Sequence, residues 1–234
     1  QRSKYHKTFK AILPSVAADY EGIINFATDN IKVGAKTYTT AEFCCRIAGI
    51  LAGLPLNRST TYYTLPEVES ITESETPDSD VDNGKLILIN DGTKIKIARG
   101  VNSLTTTTED KGEDFKKIKI LEAVDMIRDD IRTTFEDEFV GKVENSYDNK
   151  IVFIAAVNKY FKDLANRGVL YDKFDNKAEI DIDATREWLS KTRDVSSWDD
   201  EKVKTANTST NVFVRANIQI QDAIEDLNFN IYIE

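Results

Sequence analysis

The chain has 234 residues, 41% hydrophobic and 30% charged, with a formal net charge of −9. That is room for one large domain or two small ones with the composition of an ordinary soluble protein. The negative balance disfavours a general nucleic-acid role, and no apolar run is long enough to span a bilayer. The chain opens at Gln1, holds a single Met and shows no signal-peptide pattern. It is therefore expected to be a processed or deliberately cut piece of a longer protein.

Residues 7–13 and 21–27 carry strand patterns, and 31–33 with 37–39 predict a short hairpin around Gly34. Thr39 and Glu42 form a capping box. The helix it opens places Phe43, Ile47, Ile50 and Leu54 on one face and ends at Pro55. Cys44 and Cys45 are neighbours, too close to bridge without strain and too few for a zinc site. Both are expected as small buried hydrophobes in a reducing compartment. Segment 58–77 is polar, with strand-like pieces at 62–65. Asp78, Asp80, Asp82 and Gly84 imitate the opening of an EF-hand loop, but Asn83 stands where glycine is needed and Ile89 where a bidentate glutamate is needed. An acidic surface loop is expected, with a weak adventitious cation site as the alternative. Residues 85–90 and 93–98 form the clearest hairpin, around Asp91-Gly92, and 99–108 is a polar loop.

A long helix follows at 115–139. Ile120, Val124, Ile127, Ile131 and Phe135 face the core, and Glu122, Asp125, Asp129, Arg132 and Glu136 form a solvated face, as does Asp130. Gly141 stops it. A second helix spans 148–167, and its run IVFIAAV is apolar all round, which predicts a central position. A strand at 178–182 and short helices at 185–191 and 199–206 complete this part. The mixture gives an α/β or α+β class, mixed sheets packed with helices.

The last two dozen residues carry the strongest pattern. Val212, Val214, Ala216, Ile218 and Ile220 share one face of an extended run, and Leu227, Phe229, Ile231 and Ile233 share one face of another. Periodicity leaves two readings open for the second run: the edge strand of an internal hairpin, or an arm that pairs with another molecule. Catalysis finds little support. His6 is the single histidine and sits in a polar terminal stretch. The glycine-rich phosphate cradles are missing. Asp181 and Asp183 share a strand face, but capping by Asp183 explains one of them more simply. No cofactor or metal is expected.

Several segments together give a resemblance: residues 20–26 with Gly22, 48–53 with Pro55, 97–105 with Arg99, Gly100, Val101, Asn102, Ser103 and Leu104, then 125–132, Gly141, Lys142, Val143, Asn145 and Ser146, 206–208 and 222–226. In these the chain resembles the contractile tail sheath proteins of phages, prophages and phage-tail-like bacteriocins of Gram-positive bacteria, over its C-terminal two-thirds of the family's length. The resemblance implies a structural protein and not an enzyme. Subunits would form six-fold rings stacked helically around an inner tail tube, between baseplate and tail terminator, and contract to drive the tube through a cell envelope. Assembly would occur in the host bacterial cytoplasm, without nucleic acid or membrane, into a virion or phage-tail-like particle. It further implies that residues 1–110 are the rear part of a middle domain lacking its N-terminal arm. Residues 111–234 would be the C-terminal domain, its sheet completed by arms from neighbouring subunits. Val212, Val214, Ile218 and Ile220 would belong to the receiving sheet, and Asn228, Phe229, Asn230, Ile231, Tyr232 and Ile233 to the donated arm 228–234. The isolated chain would be monomeric. A weaker expectation is that one surface helix docks the sheath on the tube through charge, for which the acidic long helix is a poor candidate unless the tube is basic there. The rival readings are an enzyme or carbohydrate-binding module with its site in 58–108, and a secreted adhesin.

Overall fold

The computed structural model describes residues 7–109 and 111–233; His6 and Glu234 lie outside them. The chain forms two compact units. One is built from the chain up to Met126 together with the segment from Asp222 onward, the other from Ile127–Gln221.

The first unit contains a parallel sheet in the order β1-β2-β5, with β1 at Ala11–Pro14, β2 at Ile23–Phe26 and β5 at Lys85–Leu86. β3 (Ile31–Val33) and β4 (Lys36–Tyr38) form the predicted hairpin, with Gly34 at φ +56° in its turn. Helix α1 spans Thr40–Gly53 behind a complete capping box: the Thr39 hydroxyl accepts from the Glu42 N–H, and the Glu42 carboxylate accepts from the Thr39 N–H at 2.8 Å. Phe43, Ile47 and Ile50 of α1 pack with Ile24, Phe26, Ile31, Leu65, Leu86, Leu88 and Ile97 into one buried cluster. Cys44 is buried but Cys45 is exposed, which corrects the expectation for the pair. Neighbours on a helix point about 100° apart, so both cannot face one core.

The acidic stretch before β5 is not a loop. It is a short helix, α2 (Pro77–Asp82), with proline in its first turn. Asp80 accepts from the Ser74 hydroxyl at 2.6 Å and pairs with Lys85 at 2.7 Å. The predicted strand 85–90 divides at Ile87. Lys85 and Leu86 join β2, while β6 (Leu88–Asn90) pairs antiparallel with β7 (Ile95–Ile97). Thr28, itself buried, makes the switch possible by accepting the Leu88 N–H at 2.7 Å.

A 3-10 turn, Glu113–Lys116, leads into α3 (Ile118–Glu138), within which the chain passes from the first unit to the second. In the first unit Asp125 is not solvated as expected. It is buried and pairs with Lys10 at 2.9 Å, and Glu122 pairs with the same ammonium at 2.8 Å.

In the second unit Phe135 of α3 and Phe139, in the turn just after it, meet Phe153 edge-on, each with ring centroids 5.1 Å away. Helix α4 (Tyr147–Asn166) is capped by Ser146. Its apolar run is one-sided: Phe153, Ile154 and Val157 are buried, while Ile151 and Val152 are exposed, against the expected central position. β8 (Lys177–Ile180) precedes α5 (Ile182–Ser190), whose N-cap is Asp181 and not Asp183. The strand therefore ends before either aspartate, and Asp183 pairs instead with Arg215 at 3.2 Å. Helix α6 (Asp200–Thr205) packs on α5 around Leu189, Val195 and Val203. β9 (Val214–Asn217) closes the unit, antiparallel to β8 from Lys177↔Asn217 to Ile180↔Val214.

Residues 221–233 form no strand. The internal hairpin that periodicity allowed is not made.

Candidate assembly surface

The polar loop after β7 fixes the end of the chain. Gly100 accepts the Ile118 N–H at 2.9 Å and donates to Thr61 Oγ1 at 3.0 Å. A Cβ at Gly100 would run into the Thr60 hydroxyl, so the close approach requires glycine there. Val101 bridges Lys117. Asn102 is fully buried: its N–H reaches the Lys116 carbonyl, its Nδ2 donates to the Phe115 carbonyl at 2.7 Å, and its Oδ1 accepts the Leu104 N–H at 3.0 Å. Ser103 donates to the Tyr20 carbonyl at 2.9 Å, and its N–H reaches the Ile23 carbonyl at 2.8 Å. Leu104 is buried. Gly22, also buried, accepts the Ala11 N–H at 3.0 Å. The distinctive loop thus ties β2, the 3-10 turn and the start of α3 together.

Its first residue turns outward. The Arg99 guanidinium pairs with Glu225 at 3.1 Å and with Asp226, and Lys117 pairs with Asp222. Burial pulls the Asp222 carboxyl up, but the Lys117 ammonium and the Ala223 N–H outweigh it and leave the carboxyl below its ordinary value. Asp226 and Glu225 raise the Arg99 guanidinium in turn, against its partial burial. Three carboxylates therefore hold residues 222–226 at two cations of the same unit. Beyond them the side chains are open to water: Leu227 is 84% exposed, Phe229 74%, Ile231 73%, Tyr232 87% and Ile233 94%. Asn228 and Asn230, in the same segment, are exposed too.

In the second unit, β8 and β9 make a two-stranded sheet, and neither has a second neighbour among the described residues. On the β8 side the Asn158 amide covers part of the edge, accepting the Ala178 N–H at 2.7 Å and donating to the Ala178 carbonyl at 3.1 Å, so the open edge is that of β9. Val212, Val214, Ile218 and Ile220 are half-buried along this run, and regular pairing covers only Val214–Asn217, with an isolated bridge from Ile220 to Leu170. The turn before β9 is pinned by Asn145, whose Nδ2 donates to the Ser209 carbonyl at 2.6 Å, the Asn211 carbonyl at 3.0 Å and Thr208 Oγ1 at 3.2 Å. Gly141 takes φ +72° at the end of α3, and Lys142 donates to the Asp137 carbonyl. The structure thus joins two segments that the sequence showed separately, 141–146 and 206–208. Lys150, buried and bonded to Thr208 at 3.0 Å, was not anticipated. Its i,i+3 relation to the buried Phe153 and i,i+4 relation to Ile154 put it on the inner helix face, and that signal was available.

The rival region holds an open cleft of about 510 Å³, lined in part by Tyr62, Glu73, Asp78, Asp82 and Arg99. Arg99 is engaged by Glu225 and Asp226. Among the described residues no group of three or more His, Cys, Asp or Glu could hold a metal. No helix is long and apolar enough to cross a membrane.

Residues 110–234 match the family model of the phage tail sheath C-terminal domain. The chain is 40% identical over 225 residues to the tail sheath protein of Clostridium phage phiCD119, covering 95% of this chain and 62% of that protein. It therefore spans less than two thirds of that relative's length. Its fold matches the crystal structure of a sheath tail protein from Desulfitobacterium hafniense with a TM-score of 0.68 at 21% identity, over 77% of this chain and 45% of that one. It also matches the helical sheath of the anti-feeding prophage in its contracted state, with a TM-score of 0.64 at 11% identity, over 96% of this chain and 59% of that one.

Proposed function

The chain belongs to the phage tail sheath proteins, and on that footing we propose that it is a structural subunit of a contractile sheath that assembles helically around an inner tube. Its work is mechanical and needs no catalytic group. Its partners are further copies of itself in six-fold rings, the tube, the baseplate and the tail terminator, within a virion or phage-tail-like particle built in the bacterial cytoplasm. Residues 111–234 act as the C-terminal sheath domain and residues 1–110 as the rear of a middle domain.

The observation that carries this reading is the tail. An alternating apolar segment is rooted by three carboxylates and left exposed, while an open two-stranded sheet stands in the other unit. Added to the β8–β9 sheet of another copy, residues 228–233 would gain a ladder of N–H···O bonds. Burying each large apolar side chain would contribute about 1.5–3 kcal/mol. A contact from tail to sheet uses two different surfaces, so it propagates from copy to copy.

Negative-stain electron microscopy of the full-length protein tests this. Hollow ringed tubes are expected, and deletion of 227–234 is expected to abolish them. Tubes that persist after deletion would remove the tail from assembly, and no tubes from either form would remove the sheath reading.

A further inference from the structure

The second unit holds a cavity of about 400 Å³ beside the start of β9, walled by Phe135, Phe139, Val140, Val143, Phe153 and Val212. That volume lies in the range of clefts that bury a bound group. Val140 and Val143 are themselves largely exposed at its rim.

The cavity's polar side is under-satisfied. A threonine hydroxyl has one donor and two acceptor sites. Thr208 uses all three: it donates to the Asn211 carbonyl and accepts from Asn145 at 3.2 Å and Lys150 at 3.0 Å. Lys150 makes no other side-chain hydrogen bond among the described residues, so two of its three N–H donors are left over. Burial alone pushes this ammonium below its ordinary value, with no carboxylate beside it to oppose the shift. Asn145 Oδ1 is buried and accepts nothing. The amide orientation is fixed, because Nδ2 faces three oxygens. A spare donor and an orphan acceptor hang from one hydroxyl, and a buried polar group left short of partners is unfavourable until a ligand supplies them. An extended peptide supplies the complement of both, a carbonyl for the ammonium and an N–H for the amide oxygen.

We propose that this cavity is the anchor socket for the tail of a second copy, with Phe229 seated among Phe135, Phe139 and Phe153 and a peptide group of 227–233 set against Lys150 and Asn145. The inference rests on the strand-addition reading and extends it from backbone pairing to a specific side-chain lock. Three observations select this occupant. Val212 is both a wall of the cavity and the approach to the open strand β9, so a segment paired with that strand runs past the opening. Phe229 alternates with Leu227 and Ile231 and is 74% exposed, and the stacked pair Phe135–Phe139, with Phe153 edge-on to both, offers it aromatic faces and edges. Residues 221–234 contain Asp222, Glu225, Asp226 and Glu234 but no lysine or arginine, so nothing in the tail repels the Lys150 ammonium.

The test is photo-crosslinking of the full chain carrying benzoylphenylalanine in place of Phe229, in an equal mixture of isotopically heavy and light chains. Heavy–light crosslinks at Phe139, Val140, Val143 or Phe153 are expected. Val143→Trp should fill the socket from its rim and cut their yield by about tenfold, and Lys150→Met should do the same through the loss of a charge-assisted hydrogen bond. Both variants should melt as cooperatively as the parent, which separates a blocked socket from a failed fold. Crosslinks confined to 177–180 and 214–217 would overturn the socket and leave strand addition standing. No intermolecular crosslink anywhere in 127–221 would overturn both. Unchanged yield in Lys150→Met would overturn the peptide-group contact.

Discussion

Two short stretches of the first unit invert the usual relation between polarity and burial. The loop Arg99–Leu104 is polar, yet Asn102 and Ser103 in it are 0% and 2% exposed. The tail 227–233 is apolar at alternate positions, yet its largest side chains are nearly bare. The loop can be buried because each polar group has an internal partner on β2, the 3-10 turn or α3. The tail is exposed because, among the described residues, no strand pairs with it. A buried polar stretch is complete within one chain, whereas an exposed apolar stretch is complete only with another.

The comparison breaks most severely at Asn102. Asn102→Leu keeps the volume but strands the Leu104 N–H and the Phe115 carbonyl, and should cost about 3 kcal/mol in denaturant unfolding. Loss of under about 1 kcal/mol would mean the loop is not stabilised by its hydrogen bonds. Arg99→Ala should cost about 1 kcal/mol or less, because its ion pairs face solvent. Its larger effect should be faster proteolysis at 222–226, where the tail loses its hold. Acid sharpens the same point. The Asp222 carboxyl lies below its ordinary value in the folded chain, so its contribution is present above about pH 4 and fades as pH falls through the lower folded value. Tail mobility measured by NMR should rise there before the core unfolds. Phe229→Ser should be smallest, within about 0.5 kcal/mol of the parent, since the ring contacts water. A clear loss of monomer stability would show that the tail is already packed.

Much of the architecture was legible because local signals agreed with the final contacts. Thr39 and Glu42 announced α1, and Gly141 marked the end of α3, at a φ of +72° in the structure. The failures came where long-range partners override periodicity. Nothing local shows that Ile87 divides one strand between two sheets, or that Lys10 draws Asp125 inward across more than a hundred residues. The apolar run of α4 misled because exposed Ile151 and Val152 look like core residues when their environment is unknown. For the assembly surface, the alternation at 212–220 and 227–233 was readable. The binding of Asp222, Glu225 and Asp226 to Lys117 and Arg99, and the meeting of Asn145 with Thr208, were not, because each joins residues distant in sequence.

The acidic root of the tail also decides where mechanical load would enter. A pull on residues beyond 226 is resisted first by three ion pairs on Arg99 and Lys117, and only then by backbone bonds such as the one from Gln221 N–H to the Val169 carbonyl. Solvent-facing ion pairs yield at little cost and re-form without chemical change. The root is thus a reversible fuse, slackening under tension while the buried loop behind it keeps its shape.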